Sequence, residues 1–244
     1  MKRIVILGAT STMIQPLLRR MAADGNELLL IARSQERLDA VRGDLLARGA
    51  ANVLTFEADL ATSPDMVYSF AEQCFRDFGT LLLSYGTMLD QAWCQIDAEY
   101  AVRELQTNLV SAVALLTMFA RHFEARRSGT IAVITSVAGD RGRRSNYVYG
   151  AAKGGLSIFL QGFRSRMHIY GVRVLTIKPG PVETPMTANI PKLPLVASSE
   201  SVADDIYAAL EGGHGEVFYA PKRWRWISMA MRLIPERVFK RVPV

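Results

Sequence analysis

The sequence predicts an α/β protein: one doubly wound parallel sheet of about seven strands, helices on both faces, then a basic amphipathic helical tail. Three observations predict it. Short apolar, β-prone runs alternate with helix-like stretches, the order that builds a parallel sheet with crossover helices. The first such run ends in a glycine turn that opens a helix. The chain has 244 residues, half of them hydrophobic, which suits one large domain with a full core.

The strand-like runs fall at Arg3–Leu7, Glu27–Ile31, Asn52–Phe56, Leu81–Ser84, Thr130–Ser136, Val172–Lys178 and Glu216–Tyr219. Helix-like stretches separate them, among them Gln35–Ala47, Tyr100–Arg126, Tyr149–Tyr170 and Ser201–Leu210. The piece from Ala188 to Ser199, with Pro191 and Pro194, is irregular and reads as a loop with a short helix. No repeat, low-complexity tract or linker interrupts the pattern. Residues 1–219 therefore read as one nucleotide-binding and catalytic domain, and residues 220–244 as the tail.

Composition narrows the function. The two cysteines, Cys74 and Cys94, have no CxxC partner, and the three histidines (His122, His168 and His214) show no ligand spacing. Neither a disulfide framework nor a metal site is expected. The N-terminus runs straight into a strand without a signal-peptide pattern, and the apolar run from Leu109 to Ala120 is too short to span a bilayer. A cytoplasmic protein is expected. The net charge is +6, and the segment from Ala220 to Val244 supplies all of it with seven basic residues and one acid. The body is neutral, which argues against a nucleic-acid-binding face.

The candidate chemistry lies in the second half. Tyr149 and Lys153 are four residues apart, and Ser136 precedes Tyr149 by thirteen. Positions i and i+4 share a helix face, so phenol and ammonium are expected side by side. A neighbouring cation favours phenolate, so the phenol pKa is expected to fall from ~10 toward working pH. Such a phenol exchanges a proton with a carbonyl or alcohol oxygen, which a serine at the same point polarises. Tyr147 has Ala151 rather than lysine at i+4 and is expected to point elsewhere.

The first half carries nucleotide signals. After the first strand, Gly8-Ala-Thr10-Ser11-Thr12-Met13-Ile14 forms a strand-to-helix turn that offers backbone amides to a pyrophosphate. Arg33 follows the second strand, where an acid is absent and a guanidinium can grip an adenosine 2′-phosphate. Asp59, with Leu60 beside it, follows the third strand, where a carboxylate can accept from the adenine amine; a plain helix cap is the bland alternative. Gly86 follows the fourth.

In this order and spacing, the chain from Met1 to Tyr219 resembles the short-chain dehydrogenase/reductase family, whose fold is of the Rossmann type. The resemblance implies a catalytic tetrad of Asn108, Ser136, Tyr149 and Lys153 and an NADP(H) cofactor. It places Pro179, Gly180, Val182 and Thr184 around the nicotinamide, with the Val182 backbone and Thr184 on its carboxamide. It implies that Lys153 also bonds the nicotinamide ribose, that Asn108 holds a water linking lysine to solvent, and that the chain forms a dimer or tetramer through the helices carrying Asn108 and Tyr149. Ala151, Ala152, Gly154 and Gly155 permit close contact there. Two departures stand out: Thr12 and Ile14 replace the later glycines of the family's Gly-rich turn, and Leu83-Ser84-Tyr85-Gly86 replaces its usual Asn-Asn-Ala-Gly.

The tail adds Trp224, Trp226 and aliphatic residues among its cations. An aromatic, basic, amphipathic segment of this kind lies in a membrane interface or packs on its own domain or on another subunit. The expected location is accordingly the cytoplasm, with the tail able to place the protein on the inner membrane face. Arg141, Arg143 and Arg144, between the serine and the tyrosine, either bind a substrate phosphate or form a solvated basic loop. With the segment from Tyr85 to Gln91, these features resemble bacterial reductases of lipid-linked keto-sugars, of the decaprenylphosphoryl keto-pentose type. The expected activity is NADPH-dependent reduction of a ketone on a polyprenyl-phosphate or similar amphiphile. Reduction of soluble acyl or polyketide ketones, and a non-catalytic nucleotide-binding scaffold, are the alternatives.

Overall fold

The computed structural model describes residues 1–188, 195–212 and 215–241. The strands are β1 (Arg3–Leu7), β2 (Glu27–Ala32), β3 (Asn52–Glu57), β4 (Thr80–Leu83), β5 (Gly129–Ile134), β6 (Val172–Pro179) and β7 (Val217–Ala220). They form one seven-stranded sheet in the order β3-β2-β1-β4-β5-β6-β7, every pair parallel. The order reverses between β1 and β4. That switch point opens a crevice at the carboxyl ends of the strands.

The helices among the described residues are α1 (Gln15–Ala23), α2 (Gln35–Ala47), α3 (Pro64–Cys74), α4 (Gln91–Cys94), α5 (Ala98–Leu105), α6 (Ser111–Arg126), α7 (Tyr147–His168), α8 (Ser199–Leu210), α9 (Arg223–Leu233) and α10 (Glu236–Phe239). The central strand shows how the sheet serves two cores, because successive side chains point to opposite faces. Ile4 and Ile6 join Leu17 of α1, Leu38 of α2 and Ile206 of α8. Val5 and Leu7 join Val67 of α3, Leu115 of α6 and Leu160 of α7. Burial on both faces explains why these strands read as continuous apolar runs.

Three expectations change. The helix expected over Tyr100–Arg126 is α5 and α6 joined by a π-helical segment, Gln106–Val110, which contains Asn108. The glycine turn does not open the first helix directly; a 3-10 turn, Thr12–Ile14, comes first, and Ile14 is fully buried in the core. The fifth strand ends at Ile134, so Ser136 caps a separate turn (Val137–Asp140) instead of ending the strand. Of the loop expected over Ala188–Ser199, residues 189–194, with Pro191 and Pro194, lie outside the described residues, and α8 begins at Ser199.

The tail folds back onto the domain as α9 and α10. Trp224, Ser228 and Phe239 are buried, while Trp226, Met229, Leu233 and Val238 stay exposed. Among the described residues, no helix is long and apolar enough to cross a membrane.

Candidate active site

The carboxyl ends of the strands surround a cleft of about 570 Å³. Its wall contains Gly8, Thr10, Ser11, Thr12 and Met13 at one end and Ser136, Tyr149 and Lys153 at the other. Arg33, Asp59, Leu60, Gly86, Pro179, Gly180, Val182 and Thr184 also line it. Of the residues expected from sequence, Asn108 alone stands behind the wall.

Asn108 is buried, and the π-helical segment directs its amide at the strand-β4 loop. Its Nδ2 donates to the Thr87 carbonyl at 3.0 Å and to the Glu104 carbonyl at 3.1 Å, while its Oδ1 accepts from the Thr87 N–H at 3.2 Å. Gly86 runs between this amide and the lysine. A Cβ there would lie 2.5 Å from Asn108 Oδ1 and 3.1 Å from Lys153 Nζ, so only glycine fits without displacing a polar partner. The carboxylate behind them is Glu104, itself buried, whose Oε2 accepts from Thr87 Oγ1 at 2.8 Å and from the Leu89 N–H at 3.2 Å. Burial raises the Glu104 pKa, and these hydrogen bonds oppose the rise.

Ser136 accepts the Ala138 N–H on its Oγ at 3.1 Å, which holds the hydroxyl at the mouth of its turn, and it hydrogen-bonds the Tyr149 phenol. Lys153 Nζ lies 5.8 Å from the centroid of the Tyr149 ring. The two side chains are neighbours, as the spacing predicted. The expected fall of the phenol pKa is overturned. Withdrawal from water pushes Tyr149 up to about 12, against the downward pull of the Ser136 hydrogen bond and with the Glu104 charge adding to the rise. The same burial pulls Lys153 down to about 8, with Glu104 opposing. Desolvation penalises both charged forms at once and outweighs the attraction between them. Tyr149 is therefore a neutral phenol at neutral pH, a proton donor in waiting. Tyr147, 43% exposed, lies outside the lining of the cleft.

At the other end, Gly8 adopts a φ of +88°, and a Cβ there would sit 2.7 Å from the Tyr85 backbone. The chain thus needs glycine at Gly8 for conformation and for space. Ser84 Oγ ties the two strand ends together, donating to the Leu7 and Gly8 carbonyls at 3.1 Å each. Thr12 and Met13 begin the 3-10 turn, where amides have no preceding turn to bond to, and both residues line the cleft. Ile14, in place of a glycine, fills the space between turn and sheet with its own side chain. Arg33 is exposed on the cleft rim beside Arg37, whose Nη2 donates to the Thr10 carbonyl at 2.9 Å. Asp59 both lines the cleft and makes the bland local contact, accepting the Ala61 N–H at 2.9 Å.

The far wall is braced by the tail. Asp140 ends the Ser136 turn with its side chain only 3% exposed, and accepts from Lys178 of β6 at 2.5 Å, Tyr219 of β7 at 2.9 Å and Arg232 of α9 at 2.5 Å. Burial alone would raise its pKa; the bonds to Lys178 and the charges around it hold it below the usual carboxylate range. Arg141 caps the end of α9, donating to the Met231 carbonyl, to the Ile234 carbonyl at 2.6 Å and to Glu236 at 3.0 Å, and lies 3.8 Å over the Phe239 ring. The Trp224 indole packs against Gly180. Of the small residues on α7, Gly154 meets the Gly139 carbonyl and Gly155 meets Leu109, so they serve contacts within the chain.

Sequence reasoning missed Glu104, Arg37, Trp224 and Asp140. Glu104 had a signal, since it lies one helical turn before Asn108 and so on the same face. Arg37 had a weaker one: it lies in the first turn of α2, four residues after Arg33. Asp140 had none, because its partners lie 38, 79 and 92 residues away.

The comparisons with known proteins agree with this geometry. A family model described as short chain dehydrogenase matches residues 2–193. An uncharacterized oxidoreductase of Mycobacterium tuberculosis is 38% identical over 243 residues, covering 98% of this chain and 96% of that protein. A short chain dehydrogenase from Burkholderia cenocepacia, solved in complex with NADP, superposes with a TM-score of 0.84 at 21% identity, covering 100% of this chain and 98% of the other. A short-chain dehydrogenase from Sphingobium yanoikuyae, in complex with NADPH, gives 0.83 at 24% identity, covering 97% of each.

Proposed function

We propose that this chain, which belongs to the short-chain dehydrogenase family, is an NADPH-dependent reductase that converts a ketone to a secondary alcohol. The observation that carries the reading is the convergence of Ser136, Tyr149 and Lys153 on one cleft whose opposite end is a glycine turn flanked by Arg33 and Arg37. The cleft fits a dinucleotide. Amides of Thr12 and Met13 suit a pyrophosphate, two guanidinium groups suit a 2′-phosphate, and Gly8 and Gly86 keep the floor clear where any side chain would intrude. Neighbours of this fold solved with NADP or NADPH support the choice of coenzyme.

When bound, NADPH supplies the hydride. The protein supplies the proton and the geometry. Ser136 donates a hydrogen bond to the substrate carbonyl oxygen and so favours negative charge there. Tyr149, held protonated by its burial, gives its phenolic proton to that oxygen as charge develops. Lys153 stabilises the phenolate left behind and would hold the nicotinamide ribose when the coenzyme is bound. Asn108 fixes the Thr87 loop and with it the floor under the lysine.

For substrate, we favour a keto-sugar on a polyprenyl phosphate or a similar amphiphilic ketone. The support is the exposed face of α9 and α10, where Trp226, Leu233 and Val238 stand among Arg223, Arg225, Arg237 and Lys240, a composition suited to an anionic membrane surface. Assembly through the outer faces of α6 and α7 into a dimer or tetramer is part of the same proposal.

The test is Tyr149→Phe. Ketone-dependent NADPH oxidation is expected to fall by roughly 10²–10⁴-fold, while NADPH binding followed by fluorescence is retained. Unchanged turnover rejects the assignment.

A further inference from the structure

The three arginines between Ser136 and Tyr149 have different tasks. Arg141 is committed to the end of α9, and Arg144 is exposed. Arg143 lies in the wall of the cleft shared with Ser136 and Tyr149. Its Nε is buried without a partner among the described residues, and its side-chain hydrogen bond there is a 3.7 Å approach of Nη2 to Met231 Sδ. The acid that shares its surroundings, Asp140, is bonded instead by Lys178, Arg232 and Tyr219. Across the same turn, where the Asn146 N–H meets the Arg143 carbonyl at 3.1 Å, Asn146 Oδ1 is also buried and unpartnered.

A guanidinium presents five donors in a planar fork and keeps its charge at any working pH. A charge withdrawn from water without an anion is unfavourable, and a fork of this shape matches the paired oxygens of a phosphate or carboxylate. We infer that Arg143 anchors an oxyanion group, phosphate or carboxylate, carried by the ketone that Tyr149 serves. Arg143 thereby selects charged ketones over neutral ones of the same shape. Asn146 lines the same wall, and its Nδ2, not its unpartnered Oδ1, is the end that can donate to such a group. The inference rests on the reductase reading and adds the substrate class to it.

The experiment compares matched ketones with NADPH: a keto-sugar phosphate against the same sugar without phosphate, and a keto acid against its methyl ester. Wild type, Arg143→Gln and Arg143→Lys are assayed. Wild type is expected to favour the anionic member by about 10–100-fold in kcat/KM, the change lying in KM. Arg143→Gln is expected to lose that ratio, and Arg143→Lys to keep part of it. Retention by Lys for phosphate but not for carboxylate marks the phosphate source; equal loss on both marks the forked carboxylate contact. An anionic-to-neutral ratio that is the same in wild type and Arg143→Gln overturns the inference. So does a loss of NADPH affinity in Arg143→Gln with the ratio intact, which assigns the residue to the coenzyme. A second readout separates the two readings. The rise in Tm on adding inorganic phosphate or acetate is measured for wild type and Arg143→Gln, which share every other anion site. A rise present in wild type and reduced in the variant supports the anchor even where no ketone is turned over, in which case the reductase reading alone fails. Equal rises overturn the anchor.

Discussion

At the scale of the residue, the decisive fact is that Lys153 is buried and Tyr149 half-buried at the base of one cleft, where desolvation disfavours the charged form of each. The phenol rises to about 12 and the ammonium falls to about 8, so the tyrosine stays protonated through neutrality while the lysine titrates close to it. Glu104 is the buried acid that keeps the lysine from falling further. Because kcat/KM reports groups of the free protein, ketone reduction is expected to decline as pH rises through about 8, where Lys153 loses its proton. Glu104→Gln removes the charge that favours ammonium, so the decline is expected at a lower pH. A pH profile of kcat/KM for both proteins checks this; a decline at the same or higher pH in Glu104→Gln removes Glu104 from the lysine's electrostatics.

At the scale of the element, the Ser136 turn is held between α7 and the tail. On one side, Gly139 and Gly154 bring turn and helix into backbone contact. On the other, Asp140 joins β6, β7 and α9. Asp140→Asn leaves Lys178 buried without its counter-charge, and breaking such a pair costs roughly 3–5 kcal/mol. The expected result is a lower Tm and faster tryptic cleavage within α9; unchanged values of both show that Asp140 does not hold the tail. These joints mark the limit of what the chain reveals before it folds. Strands such as β1 and the Tyr149–Lys153 pair were legible because their patterns are local, in apolar runs and a four-residue spacing. The π-helical segment at Asn108 was not, since nothing in Gln106–Val110 breaks a helical pattern. The phenol pKa was misread because i+4 spacing reports proximity to lysine and says nothing about exclusion of water. The roles of Arg141 and Asp140 depend on residues far along the chain.

At the scale of the whole molecule, the tail, α9 and α10, has two faces. Its inner face supports the active site through Trp224 and Arg232; its outer face shows Trp226 at 67% and Leu233 at 72% exposure. Truncating the tail would damage the site along with the surface, so surface variants are the cleaner probe. Wild type is expected to sediment with vesicles containing anionic phospholipid at low salt and to be released by high salt. A Trp226→Ser, Leu233→Ser double variant is expected to remain in the supernatant with its Tm unchanged. Equal sedimentation of both removes the lipid-facing role of the tail.

The clasp between Arg141 and the last turn of α9 also bears on biosynthesis. A nascent chain emerges N-terminus first. Asp140 and Arg141 therefore wait beside a half-built cleft until Met231, Arg232 and Ile234 have left the ribosome. The wall beside Ser136 is braced only after a segment roughly 90 residues further along the chain has emerged.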